Sequence, residues 1–117
     1  MFLLAPTTTL RRAQHIVSIA SGFLYFVSLK GITGADHLIV ADVRDRLATL
    51  RPLTTLPIVV GFGVKDAAVA RAVAPLADGV VVGSAIVALM AAHESDPAAI
   101  PTALRTWASH VRAAIDA

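Results

Sequence analysis

The sequence contains no cysteine, a single glutamate, and few charged or aromatic residues, 15% and 5% of its 117 positions. The missing cysteine excludes disulfides and thiolate chemistry, and it fits a reducing cytoplasm. The low charge excludes a disordered chain, because 56% of the residues are hydrophobic and must find cover. The eight Arg and two Lys are scattered from Arg11 to Arg112. A formal charge of +2 and a pI near 9.7 therefore come without the basic stripe and interleaved aromatics of a nucleic-acid binder. The longest uncharged apolar stretch, Gly79 to Ala92, is shorter than the ~20 residues that span a bilayer, and Gly83-Ser84 interrupts it. The opening Met1-Phe2-Leu3-Leu4-Ala5-Pro6 has no basic n-region and too short an apolar run for an export signal, so neither membrane nor secretion is expected.

What is present is a set of short, nearly continuous apolar runs: Phe2 to Ala5, Gly22 to Ser28, Pro57 to Gly61 and Gly79 to Gly83. They lack period-two alternation, the pattern of strands covered on both faces, as in parallel sheets flanked by helices. Helical segments lie between them. Thr7 to Thr9 offer N-caps for a helix over Leu10 to Ala20 with apolar positions at Ile16, Ile19 and Ala20. A helix from about Ala41 to Leu50 stops before Pro52, and Asp66 caps a third that runs to Leu76. Ser84 opens a short helix to Ala92, a polar break at His93 to Asp96 follows, and a last helix from Pro97 keeps Leu104, Trp107, Val111 and Ile115 on one face. Alternating βα units with short connections imply an all-parallel α/β sheet, either doubly wound or part of a barrel, in one partial domain over residues 1–117. A closed (β/α)8 barrel needs roughly 250 residues, about twice this length.

Ligands of parallel α/β folds sit beyond the carboxyl ends of the strands. Those ends are Pro6-Thr7, Ser28 to Gly34, Gly61-Phe62-Gly63 and Gly83-Ser84, and three of the four are glycine-rich. Glycine admits a ligand to the backbone, and a following helix N-terminus adds partial positive charge, so phosphate can be held without a lysine. The same glycines also serve plain strand-to-helix turns. Consecutive glycine ends before a short extra helix favour phosphate.

Three segments together carry a family resemblance: Tyr25-Phe26-Val27-Ser28-Leu29-Lys30-Gly31-Ile32-Thr33-Gly34-Ala35, Pro57 to Val64, and Ala77 to Ala85. In order, spacing and content they resemble the tryptophan synthase alpha subunit, and the similarity covers essentially the whole chain. The resemblance implies the C-terminal half of a (β/α)8 barrel, four parallel strands with covering helices. It implies retro-aldol cleavage of indole-3-glycerol phosphate, with indole passed to a beta-subunit partner that holds pyridoxal phosphate; no cofactor is expected in this chain. By resemblance Gly63, Gly83 and Ser84 cradle the phosphate, Phe62 and Leu3 line the substrate pocket, and Tyr25 sits near the reacting end. Thr33 and Gly34 fall in the loop that closes the site, where the threonine positions a catalytic aspartate.

The family's two catalytic carboxylates belong to the earlier half of the barrel and match nothing here. Glu94 lies in a polar break, Asp66 and Asp96 read as caps, and Asp36 reads as a solvated loop residue without an acidic or basic partner. His15, His37, His93 and His110 share no ligand-like spacing, so no metal site is expected. The isolated chain is accordingly expected to bind but not cleave. Two other readings stand beside this one: a non-catalytic phosphate-binding or assembly half-barrel, and part of another phosphate-binding barrel enzyme, such as one of histidine biosynthesis, which would not share Ser28 to Ala35. A chain this apolar is further expected to pair with the other half of the barrel or with itself.

Overall fold

The computed structural model describes residues 1–27, 36–61 and 63–117, with the side chains of 36–39 outside that description. Strands β1 (Phe2–Leu4), β2 (Leu24–Val27), β3 (Ile58–Gly61) and β4 (Gly79–Val81) form one sheet in the order β1-β2-β3-β4. Every pairing is parallel, with Phe2 opposite Leu24, Leu24 opposite Ile58, and Val59 opposite Gly79. Parallel neighbours need crossovers, which α1 (Leu10–Ile19), α2 (Asp36–Leu50) and α3 (Ala67–Val73) supply; α4 (Ser84–Ala92) and α5 (Ile100–Asp116) follow the last strand. Right-handed crossovers that always advance in one direction bring each helix to the same face of the sheet. Strand order never reverses, so the doubly wound alternative falls away, and the four units make half of an eight-stranded barrel.

The register sorts the side chains. Leu4, Phe26 and Val60 share one face with Leu24 and Ile58, and all five are at most 1% exposed beneath the helices. Val43 and Leu47 of α2, Ala70 and Val73 of α3, and Val111 of α5 close over them. The other face carries Leu3, Tyr25, Val27, Val59 and Val81, none of which belongs to this core, and Leu3 is 57% exposed. In a closed barrel that face would be the lumen.

Local chemistry explains the boundaries. The Thr9 hydroxyl accepts from the Arg12 N–H at 3.3 Å and caps α1, and the Asp66 carboxylate accepts from the Val69 N–H at 2.9 Å and caps α3. Helix α3 stops at Val73 rather than Leu76, because Pro75 cannot donate to the preceding turn; a 3-10 turn, Ala74–Leu76, replaces the last residues. Helix α2 begins five residues before the expected Ala41, as nothing from 36 to 50 is Gly or Pro. Asp96 stands at the N-cap of a 3-10 turn, Pro97–Ala99, without a side-chain capping bond, so its reading as a cap is corrected. In α1 and its C-cap, Ala13, Ile16, Val17 and Ala20 pack toward the core at helical spacing, whereas Ile19 is 56% exposed. The last helix packs on α3 as its period requires, with Trp107, Val111 and Ile115 turned to the core.

Candidate phosphate and substrate end

The carboxyl ends of β3 and β4 are brought level by pairing. Gly61 lies opposite Val81, so Gly63 and Gly83 each follow two residues beyond one rung of the ladder. Gly63 has φ +25°, in the left-handed region where a side chain is strained, and space around its Cα is open. Gly83 is the N-cap of α4 and has no side chain to occupy the helix entrance. Its carbonyl accepts from the Ile86 and Val87 N–H groups at 3.0 and 3.2 Å. Helix geometry then leaves the amides of Ser84 and Ala85, at the first turn, pointing out of the helix end. Amides at a helix N-terminus, with the partial positive charge of that end, are groups that can hold an anion. Gly63, Gly83 and Ser84 thus stand at one end of adjacent strands.

Leu3 and Tyr25 are cross-strand partners on the lumen face, and Val59 follows on the next strand. Tyr25 reaches across β3: a methyl group built on Gly61 would overlap its hydroxyl and ring. Gly61 has no site role by resemblance, yet its missing side chain is what seats the Tyr25 ring. The signal available in sequence, a glycine closing an otherwise β-branched run, is common to many strand ends. Ser28, Lys30, Thr33, Gly34 and Phe62 lie outside the described residues.

The turn after β1 is built from its own threonines. The Ala5 N–H donates to the Thr8 hydroxyl at 3.0 Å and the Thr8 N–H to the Ala5 carbonyl at 2.9 Å. The Arg46 guanidinium on α2 donates to the Thr8 carbonyl, tying this turn to the helix layer. A cleft of about 350 Å³ opens there, lined by Pro6, Phe26, Val43 and Arg46. Its walls are core and α2, so it lies on the helix side and is separate from the lumen residues.

Two of the described acids, Asp78 and Asp116, are paired with arginines. Asp78 accepts from the Arg51 guanidinium at 2.6 Å and from the Ile58 N–H at 2.7 Å, at the entry of β3 and β4. The Arg51 hydrogen bond first, and the Ile58 N–H second, hold its carboxyl below the usual range. Asp116 is paired with Arg112 within α5, which lowers its pKa.

Singly wound βα units with glycine-built ends on their last two strands define half of a (β/α)8 barrel. The family model described as tryptophan synthase alpha chain matches residues 1–116, and the chain belongs to that family. It is 46% identical over 117 residues to the tryptophan synthase alpha chain of Nitrosococcus oceani, covering 100% of this chain and 43% of that one. Against the Methylococcus capsulatus alpha chain it is 53% identical over 97 residues, 83% of this chain and 36% of the relative. Among solved structures, a tryptophan synthase alpha chain from Legionella pneumophila superposes with TM-score 0.77 at 34% identity, over 99% of this chain and 42% of that one. A tryptophan synthase from Mycobacterium tuberculosis gives TM-score 0.78 at 32% identity, over 97% and 40%. The chain therefore spans about two-fifths of the length of these relatives. Among the described residues, no helix is long and apolar enough to cross a membrane.

Proposed function

We propose that the chain serves tryptophan biosynthesis in the cytoplasm as the phosphate-holding half of a tryptophan synthase alpha barrel. The observation that carries this reading is the level pair of glycine ends, Gly63 at φ +25° and Gly83 at the mouth of α4. The amides of Gly63, Gly83 and Ser84 hold the phosphate of indole-3-glycerol phosphate. Leu3, Tyr25 and Phe62 give the indole an apolar wall, and Thr33 and Gly34 belong to the loop that closes over it. Cleavage to indole and glyceraldehyde 3-phosphate needs a group to take the indole nitrogen proton and another to move protons at the ring and glycerol hydroxyl. Those carboxylates come from an N-terminal half, and indole then passes to a beta subunit carrying pyridoxal phosphate.

Calorimetry with glycerol phosphate tests the binding half of this reading, and binding by the isolated chain is expected. Indole release should stay at background for the chain alone, since such positioned groups are each worth on the order of 10²–10⁴ in rate, and it should rise when an N-terminal alpha-subunit half is added. Robust release by the chain alone would refute the division of labour. A half-barrel that binds phosphate without taking part in cleavage is the second reading. It is favoured by the engagement of Asp66, Asp78 and Asp116 in a cap and two ion pairs. Failure of indole release on addition of the other half, with glycerol phosphate binding intact, would select it.

A further inference from the structure

We propose that the cleft between the β1–α1 turn and α2 is a second binding site, shaped for an apolar α-amino acid. Its volume of about 350 Å³ falls at the lower end of the roughly 300–1,000 Å³ typical of small-molecule sites. The strand beneath it, β2, is paired on both sides, so the cleft belongs to the interior of the fold and not to an edge of the sheet. The phosphate reading makes no use of it.

The wall supplied by α2 carries the chemistry. Val43, Leu47 and Leu50 turn one stripe of this helix to the core. A neighbouring stripe, Asp42, Asp45, Arg46 and Thr49, repeats at intervals of three and four residues and lines the cleft. Asp42 and Asp45 are exposed, Arg46 is half-buried, and Phe26 and Val43 give an apolar floor opposite Pro6. The Thr49 hydroxyl is committed to the Arg46 carbonyl at 2.7 Å and takes no part in recognition.

Arg46 has more donors than acceptors to meet them. Its Nη2 donates to the Thr8 carbonyl, while its Nε is buried without a hydrogen-bond partner among the described residues. A buried donor on a charged group is costly to leave unmet, and a carboxylate seated beside the guanidinium offsets that cost. The same guest meets two carboxylates at the rim. A simple acid would be repelled by Asp42 and Asp45, and a simple amine by Arg46. An α-amino acid carries both charges on one carbon, and Asp42 and Arg46, one helical turn apart, set their counterparts side by side. An apolar side chain then lies against Pro6, Phe26 and Val43.

Calorimetric titration of the chain with L-phenylalanine at millimolar concentration tests the site, and saturable binding is expected. L-phenylalaninamide lacks the carboxylate and N-acetyl-L-phenylalanine lacks the ammonium, so each should bind the unaltered protein about tenfold more weakly or worse. Arg46→Met should weaken phenylalanine by a similar factor. Asp45→Asn changes an exposed position, so it should keep the wild-type melting temperature and weaken binding about threefold. Saturating glycerol phosphate should leave phenylalanine affinity unchanged, because the strand exits lie on the other side of the sheet. Absence of saturable binding would overturn the proposal, as would an amide or N-acetyl derivative that binds as tightly as phenylalanine. Displacement of phenylalanine by glycerol phosphate would also overturn it.

Discussion

The two ends of the sheet are built on opposite principles. At the entry of the strands polar groups are spent on each other: Asp78 joins Arg51 to the Ile58 N–H, and the Leu24 N–H donates to the Pro57 carbonyl at 2.9 Å. At the exit, Gly61, Gly63 and Gly83 remove side chains, and the first amides of α4 are left pointing outward. Conserving bonds at one end stabilises; withholding them at the other leaves backbone amides open. This is the separation expected of barrel enzymes, with stability at the amino end of the strands and chemistry at the carboxyl end.

The contrast is broken most severely by Gly83→Val. Space around Gly83 is open, so the chain should fold, but a branched side chain would stand before the α4 amides. Affinity for glycerol phosphate should fall about a hundredfold or more, roughly 3 kcal/mol, with an unchanged melting temperature; undiminished affinity by calorimetry would remove the site. Next is Gly61→Ala, which drives a methyl group into the Tyr25 ring. Overpacking of this kind costs about 1–3 kcal/mol. Tyr25→Phe removes the overlapping hydroxyl and should recover part of that loss in a double-mutant cycle read by urea unfolding. Additive losses would show that the two residues do not meet.

The smallest effect is expected at the entry. Asp78→Ala removes a hydrogen bond to the Ile58 N–H and a half-exposed ion pair, for about 1 kcal/mol of stability and no change in phosphate affinity. The pH dependence has a definite sign. A carboxyl with a depressed folded pKa adds stability above its unfolded value near 3.8, and that stability is lost as pH falls through the folded value. Wild type and Asp78→Ala should therefore differ in denaturation midpoint at pH 7 and converge under strongly acidic conditions. A constant difference across that range would remove Asp78 as the titrating group.

Much of this was legible in the chain because continuous β-branched runs such as Ile58-Val59-Val60 and caps such as Thr9 and Asp66 act locally. What could not be read depended on register. An apolar run covered on both faces does not say which residues meet helices and which meet the lumen, so Leu3 and Leu4 look alike in sequence but differ from 57% to 1% exposure. The seating of Tyr25 over Gly61 likewise requires two strands, 36 positions apart in the chain, to be aligned first. In α1, the buried Ala13 carries little hydrophobic signal, while the more apolar Ile19 is 56% exposed.

The unbroken strand order also has a kinetic meaning. Because each strand pairs only with the next, the sheet closes loops of 22, 34 and 20 residues, taken from Phe2 to Leu24, Leu24 to Ile58 and Val59 to Gly79. Closure entropy grows with the logarithm of length, so the longest and shortest of these differ by only about 0.5 kcal/mol. Loop closure alone sets no strict sequence of assembly, and the sheet can zip from any neighbouring pair. For the same reason, doubling the connection between β2 and β3 would cost only about 0.6 kcal/mol in closure, which makes it a tolerant place for insertions.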